Sequence, residues 1–251
     1  MKIPNLKKIT TNGRAIYLAY DQGLEHGPAD FNDKNVNPCY IIDIAKKGRF
    51  NAVIFQKGIA EKYHEEIRKS KVPLIVKLNG KTNLVKGEPI SRLLCTVEEA
   101  LKLGASGIGY TIYIGSAHED VMLEEFEIIQ KKAHEKNLPV IVWIYPRGKS
   151  VEKKSSKDLM AYACRVGLEI GADIIKIQYN GDKKDLEWAI KNAGKTKVVI
   201  AGGIKKDSND LYKQIKEIMQ TGAIGLAIGR NIWQAKNPLE ISEKIRGIIM
   251  K

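Results

Sequence analysis

Cysteine, histidine and long apolar runs are all scarce in this chain of 251 residues. Its three cysteines, Cys39, Cys95 and Cys164, are odd in number and far apart, with no C-x-x-C pair. That spacing excludes a disulfide scaffold, and the three read as reduced and structural. The four histidines, His26, His64, His118 and His134, form neither an H-x-x-x-H nor an H-E-x-x-H pattern, which weighs against a metal-dependent enzyme. The longest uncharged apolar stretches, such as 138–146, span about half of the roughly 20 residues a membrane helix needs, so no membrane crossing is expected. The opening segment MKIPNLKKITTNGR runs from charged residues into a strand-like stretch without an apolar core or a small-residue cleavage site, and a cytoplasmic address is expected. Arginine is scarce too, at 8 residues against 34 lysines, and there is no basic tail or basic-aromatic tract. A net charge of +13 carried by scattered lysines implies weak, salt-sensitive attraction for polyanions such as phosphorylated metabolites. It does not imply a nucleic-acid-binding protein.

What is present suits a folded enzyme. Hydrophobic residues make up 43% and charged residues 28%, and the length allows a well-buried core without covalent staples. Short β-branched runs at 15–20, 52–56, 73–78, 107–112, 139–144, 173–178, 197–201 and 223–228 alternate with amphipathic helical patterns. The helical patterns include 98–103, 120–135, 158–170, 182–192 and 211–220. Near-continuous apolar strands joined by helices mean a parallel sheet covered on both faces. Eight such units over residues 1–251 predict a single-domain α/β TIM (β/α)8 barrel, with a doubly wound open sheet as the alternative. Gly104, Gly171 and Gly222 each close a helical pattern before a strand, as glycine C-caps do.

In a TIM barrel the chemistry sits at the C-terminal ends of the strands. Two lysines stand out there, Lys77 in Leu74-Ile75-Val76-Lys77-Leu78 and Lys176 in Ile174-Ile175-Lys176-Ile177. Burial lowers an amine's pKa, and a neutral amine can attack a carbonyl to form a Schiff base. A carboxylate partner or reach to solvent would explain either lysine equally well, and strand parity does not choose between them. Trp143 and Tyr145 share one face of the fifth strand, and a tyrosine there can move a proton. Asp21, at the end of the first strand, can orient a hydroxyl or simply open a turn. Gly202 and Gly203 after strand seven, with Gly229 and Arg230 after strand eight, stand where TIM barrels commonly hold a phosphate, and Lys205 would add charge. Gly80-Lys81-Thr82 resembles the end of a P-loop, but Ile75 stands where the first glycine belongs, so no nucleotide site is assigned.

Together, Asp21-Gln22-Gly23-Leu24-Glu25-His26-Gly27-Pro28, Trp143-Ile144-Tyr145-Pro146-Arg147-Gly148, Asp173-Ile174-Ile175-Lys176, Ala201-Gly202-Gly203 and Ile228-Gly229-Arg230-Asn231-Ile232 resemble the archaeal-type class I fructose-bisphosphate aldolases. The likeness runs in order over residues 15 to about 235. It implies reversible cleavage of fructose 1,6-bisphosphate to dihydroxyacetone phosphate and glyceraldehyde 3-phosphate, with neither metal nor organic cofactor. By that resemblance Lys176, rather than Lys77, forms the Schiff base, Tyr145 is the general acid/base, Trp143 lines the site, and Asp21 assists proton transfer and positioning. Gly202, Gly203, Gly229 and Arg230 match the family's phosphate cradle. The resemblance also implies ring-based homo-oligomers, typically decamers of pentameric rings. Many members carry His where this chain has Gln22, so no role carries over to that side chain. The aminodeoxyheptulosonate synthases of aromatic amino-acid precursor synthesis share the Tyr-Pro-Arg-Gly, lysine and Gly-Arg-Asn motifs. They usually read Asp-His-Gly-Val at the first motif and lack the tryptophan, so they stand as the alternative.

Overall fold

A computed structural model describes residues 4–205 and 207–251. Eight parallel strands close into a barrel: β1 (Ala15–Ala19), β2 (Ala52–Gln56), β3 (Leu74–Lys77), β4 (Ala105–Ile114), β5 (Val140–Pro146), β6 (Ile174–Ile177), β7 (Lys197–Ala201) and β8 (Gly225–Ile228). Each strand pairs with its sequence neighbours, and β8 pairs back onto β1, with Ala15 opposite Gly225 and Leu18 opposite Ile228. The barrel predicted from strand count is therefore observed, and the open sheet is excluded.

Every strand limit agrees with the sequence pattern to within two residues, and β4, longer at both ends, departs most. It was expected to stop at Ile112 but continues to Ile114, because Tyr113 and Ile114 pair with Tyr145 and Pro146 of β5. The glycine C-caps hold as expected: Gly104, Gly171 and Gly222 have φ of 78°, 76° and 98°, in the left-handed region that favours glycine. Helices at Pro38–Lys47, Lys57–Lys62, His64–Ser70 and Pro238–Ile249 fill the remaining connections. No helix begins at Gly80-Lys81-Thr82; instead Asn79–Gly80 pairs antiparallel with Arg92–Leu93. Cys39, Cys95 and Cys164 are free thiols, the last two buried. Among the described residues no helix is long and apolar enough to cross a membrane.

Alternation along each strand divides the core in two. Ile16, Val53, Val76, Val142, Ile175 and Ile200 face outward into the layer under the helices. Tyr17, Ile54, Ile75, Ile141, Trp143, Ile174 and Val199 fill the barrel interior. Lys77 follows Ile75, and Lys176 follows Ile174, on that inner face. On β4 the inward positions include Gly107 and Gly109. A Cβ at Gly109 would lie 2.3 Å from the Trp143 ring and 3.2 Å from Lys77 Cδ, so the missing side chain is where the indole lies. Gly109→Val should therefore force Trp143 out of its seat at a cost of about 1–3 kcal/mol. Urea unfolding of the variant measures this, and unchanged stability would mean that the indole is not seated on β4.

Candidate active site

The barrel's C-terminal mouth opens on a polar cavity continuous with solvent. Asp21, Lys77, Trp143, Tyr145, Lys176, Gly202, Gly203, Gly229 and Arg230 all line it, so the structure brings together nearly every residue singled out from the sequence. Lys205 is the exception. Its Nζ donates to the Gln234 carbonyl at 3.1 Å, and it borders a separate surface hollow. Its neighbour Gly203 lines the cavity, but at position 205 the loop has already turned outward.

The cavity floor is built from one indole and two amines. Trp143 is 2% exposed, and it stands in register with Lys176 on β6. The Lys176 Nζ lies 4.7 Å from its ring centroid, and the Lys77 Nζ 5.3 Å. Such contacts favour the cationic form modestly, whereas burial opposes it strongly. The balance lowers both amines: burial pulls Lys176 below the usual lysine range against the opposing charges of Asp21 and Glu25. Lys77 comes down to about 8 for the same reason. Lys77 Nζ also donates to the Asn79 carbonyl at 3.3 Å, whereas Lys176 Nζ has no protein acceptor among the described residues. The geometry thus separates two lysines that strand parity left equivalent.

Asn79, fully buried, fixes the chain beyond β3. Its Oδ1 accepts from the Thr111 N–H at 2.8 Å, and its Nδ2 donates to the carbonyls of Thr111 and Ser91 at 2.8 and 3.1 Å. The excursion from 80 to 91 is thereby sutured to β4 at its base.

On the far wall, burial pushes the Tyr145 phenol well above the ordinary tyrosine range, Asp21 adding to the rise and Arg147 opposing it. The Arg147 guanidinium carbon lies 5.3 Å from the Tyr145 ring centroid and 5.2 Å from that of Tyr113. Its Nη1 donates to Glu25 Oε1 at 2.7 Å. Glu25 and Arg147 stood in the sequence motifs without an assigned role, and this pairing across 122 residues of chain is what the sequence did not reveal.

The glycine loops form another wall. A Cβ at Gly229 would sit 2.4 Å from the Ala19 carbonyl oxygen, so that position requires glycine, and Gly203 has φ of +65°, in the left-handed region that favours it. The Gly202 N–H does not point inward as expected for an anion donor, because it donates to the Ala227 carbonyl at 2.9 Å. Arg230 is held by the Gly203 carbonyl at 3.3 Å and by Asp30 at 3.5 Å. Asp30 also meets His26 Nδ1 at 2.7 Å, and its own carbonyl accepts from Gln234 at 2.8 Å. Asp30 was not anticipated, and it ties the segment after β1 to the segment after β8.

Comparison with known proteins agrees with this geometry. The model of the DeoC/LacD family aldolases matches residues 15–235, and the chain belongs to that family. It is 47% identical over 247 residues to the class 1 fructose-bisphosphate aldolase of Thermoproteus tenax, covering 97% of this chain and 92% of that one. It is 36% identical to the fructose-bisphosphate aldolase/6-deoxy-5-ketofructose 1-phosphate synthase of Methanocaldococcus jannaschii, over 92% of this chain and 80% of that one. Among solved structures it is similar to an archaeal fructose-1,6-bisphosphate aldolase whose catalytic lysine is covalently bound to the carbinolamine intermediate of the substrate. That match has 45% identity and a TM-score of 0.93, covering 98% of both chains.

One consequence concerns Glu25. Burial raises its carboxyl, but the hydrogen bond and charge of Arg147, helped by Lys81 and His26, bring it below the ordinary glutamate range. The pair's contribution is therefore complete above that range and is lost as pH falls through the lowered value. In Arg147→Met the largest opposing influence is gone, and Glu25 should titrate at higher pH than in the wild type, as carboxyl 13C NMR would record. An unmoved titration would mean that Arg147 does not govern Glu25.

Proposed function

We propose that the chain is a class I aldolase that reversibly cleaves fructose 1,6-bisphosphate to dihydroxyacetone phosphate and glyceraldehyde 3-phosphate through an imine on Lys176. The observation that carries this reading is a buried amine, depressed in pKa and without a protein acceptor, at the C-terminal end of β6 in a member of an aldolase family. Such an amine attacks a ketone readily, and the resulting iminium is an electron sink for the neighbouring carbon–carbon bond.

In cleavage, Lys176 attacks the C2 ketone. Loss of water gives the iminium, and the C4 hydroxyl loses its proton as the C3–C4 bond breaks. The bonding electrons flow into the C=N bond, leaving an enamine that is protonated at C3 and hydrolysed to dihydroxyacetone phosphate. Tyr145 is the proposed partner of the C4 oxygen. As a neutral phenol it donates to the developing alkoxide in the condensation direction. In the reverse direction its phenolate form is favoured by Arg147 and by the positive iminium. Asp21 lies in the same cavity as both lysines and Tyr145, which supports a role in orienting substrate hydroxyls. Trp143 forms the apolar floor, and the presence of this tryptophan favours the aldolase over the aminodeoxyheptulosonate synthases.

Gly203, Gly229 and Arg230 are the proposed seat for one phosphate, supported by the close backbone approach at Gly229, the left-handed turn at Gly203 and a guanidinium at the cavity wall. Gly202 contributes close packing there, its Cβ position lying 2.6 Å from Ile228 Cγ1, rather than a free N–H. Lys205 contributes positive field from the surface. We further propose that the protein works in glycolysis and gluconeogenesis in the cytoplasm, without a metal, as a homo-oligomer built of rings, in keeping with the family's habit.

Borohydride reduction with dihydroxyacetone phosphate in the presence of EDTA should leave a stable adduct on Lys176, located by peptide mapping. Lys176→Met should lose both the adduct and turnover while unfolding as the wild type does; activity within a few-fold of wild type would refute the imine assignment. Tyr145→Phe should still give the adduct but cleave fructose 1,6-bisphosphate about 10²- to 10⁴-fold more slowly. Unimpaired cleavage by that variant would move the C4 proton transfer to another group.

A further inference from the structure

Lys77 has no part in the chemistry described so far, and neither ordinary explanation for a strand lysine fits it. It does not reach solvent, being 5% exposed. Among the described residues no carboxylate is within ion-pair distance of its Nζ, whose one protein acceptor is the Asn79 carbonyl. An ammonium offers three donors, so two are left for the cavity that Lys77 shares with Lys176, Asp21 and Tyr145. The groups facing it are Gln56 on β2, Gly109 on β4, Trp143 on β5, Lys176 on β6, and Asp21 and Glu25 after β1.

We propose that Lys77 is a second catalytic residue of this reaction, the acid that protonates the departing hydroxyl of the carbinolamine and the base that recovers the proton when the imine is hydrolysed. The proposal rests on the reading of Lys176 as the imine-forming amine. Attack of the Lys176 nitrogen on the ketone carbon gives, after a proton moves from nitrogen to oxygen, a neutral carbinolamine. Lys77 then transfers an Nζ proton to the hydroxyl oxygen and the C–O bond breaks to release water. The lone pair of the Lys176 nitrogen closes the C=N bond. Lys77 ends as a neutral amine and the iminium carries the charge, so the pocket holds one positive charge before and after the step.

That conservation of charge is what the arrangement favours. Both nitrogens lie against one indole, with Asp21 and Glu25 acting from beyond ion-pair distance, so a second cation there meets the first without a carboxylate in contact with either. Burial brings Lys77 down to about 8, Asp21 opposing and Lys176 assisting, and a group that titrates there can both release and regain a proton near neutrality. Tyr145 lines the same cavity but is the proposed partner of the C4 oxygen, which leaves the proton cycle at C2 to another group.

The test is the rate at which a borohydride-trappable iminium forms from dihydroxyacetone phosphate in the full-length wild type, Lys77→Met and Lys77→Arg, across neutral and alkaline pH. Borohydride reduces the iminium but not the carbinolamine, so the rate reports dehydration. The wild-type rate should fall on the alkaline side, as Lys77 loses its proton above about 8. Lys77→Met should trap about 100-fold more slowly and without that fall. Lys77→Arg keeps a charge but cannot release a proton, and it should remain as slow. Near-wild-type trapping by either variant would overturn the proposal, since a rescued arginine variant would make Lys77 a fixed charge. A wild-type rate without the alkaline fall would overturn it as well, and that measurement stands even if the variants do not fold. Absence of any adduct on Lys176 in the wild type would instead refute the imine reading beneath it.

Discussion

Burial of two lysine amines against one indole is the constraint from which the rest of the site follows. An ammonium taken out of water is costly unless a counter-charge meets it, and the floor of this barrel provides none at contact distance. Asp21 and Glu25 act from further off, enough to oppose the desolvation of Lys176 without cancelling it. For Glu25 to do so it must stay ionised in a half-buried position, and the Arg147 guanidinium secures that. Arg147 in turn stands beside the Tyr145 and Tyr113 rings. The nucleophile, the carboxylates and the phenol are thus parts of one electrostatic arrangement.

The walls are held by a different kind of interaction. Asp30 receives Arg230 and His26 through its side chain and Gln234 through its backbone, and Trp233 donates to the Ala19 carbonyl at 3.1 Å. These contacts join the first and last βα segments where the barrel closes between β1 and β8. The proposed phosphate seat is therefore braced by residues far from it in sequence, and Gly229 is confined by packing against β1 as much as by any need to approach a ligand.

Much of this was legible in the residue order. Eight apolar runs separated by amphipathic segments define the barrel because a parallel strand buried on both faces leaves that pattern, and three glycine C-caps mark where β4, β6 and β8 begin. The lysines at 77 and 176 were visible as charges in apolar strands. The strand pattern left them equivalent and only the resemblance chose Lys176; the physical difference, the Asn79 carbonyl reaching one amine and no acceptor among the described residues reaching the other, lies in the fold. Lys205 shows the opposite limit: nearness in sequence to a functional loop says nothing of the direction in which a side chain leaves it. The pairing of Glu25 with Arg147, and of Asp30 with Arg230, joins distant stretches of chain that no local pattern connects. The seat of Trp143 was hidden because it depends on an atom that Gly109 lacks.

The suture at Asn79 has a mechanical meaning for the long excursion that follows β3. With the amide of Asn79 bound to Thr111 and Ser91, and its carbonyl receiving Lys77, the base of that excursion is clamped; further out the Asn83 N–H donates to the Glu25 carbonyl at 3.2 Å, and beyond it Leu84 and Val85 are largely exposed. A change confined to Leu84 and Val85 leaves the contacts at the base, and so the seat of the amine below, in place. A loop so arranged can change what passes over the mouth of the barrel, in shape or in length, while the floor on which the bonds are made and broken keeps its dimensions.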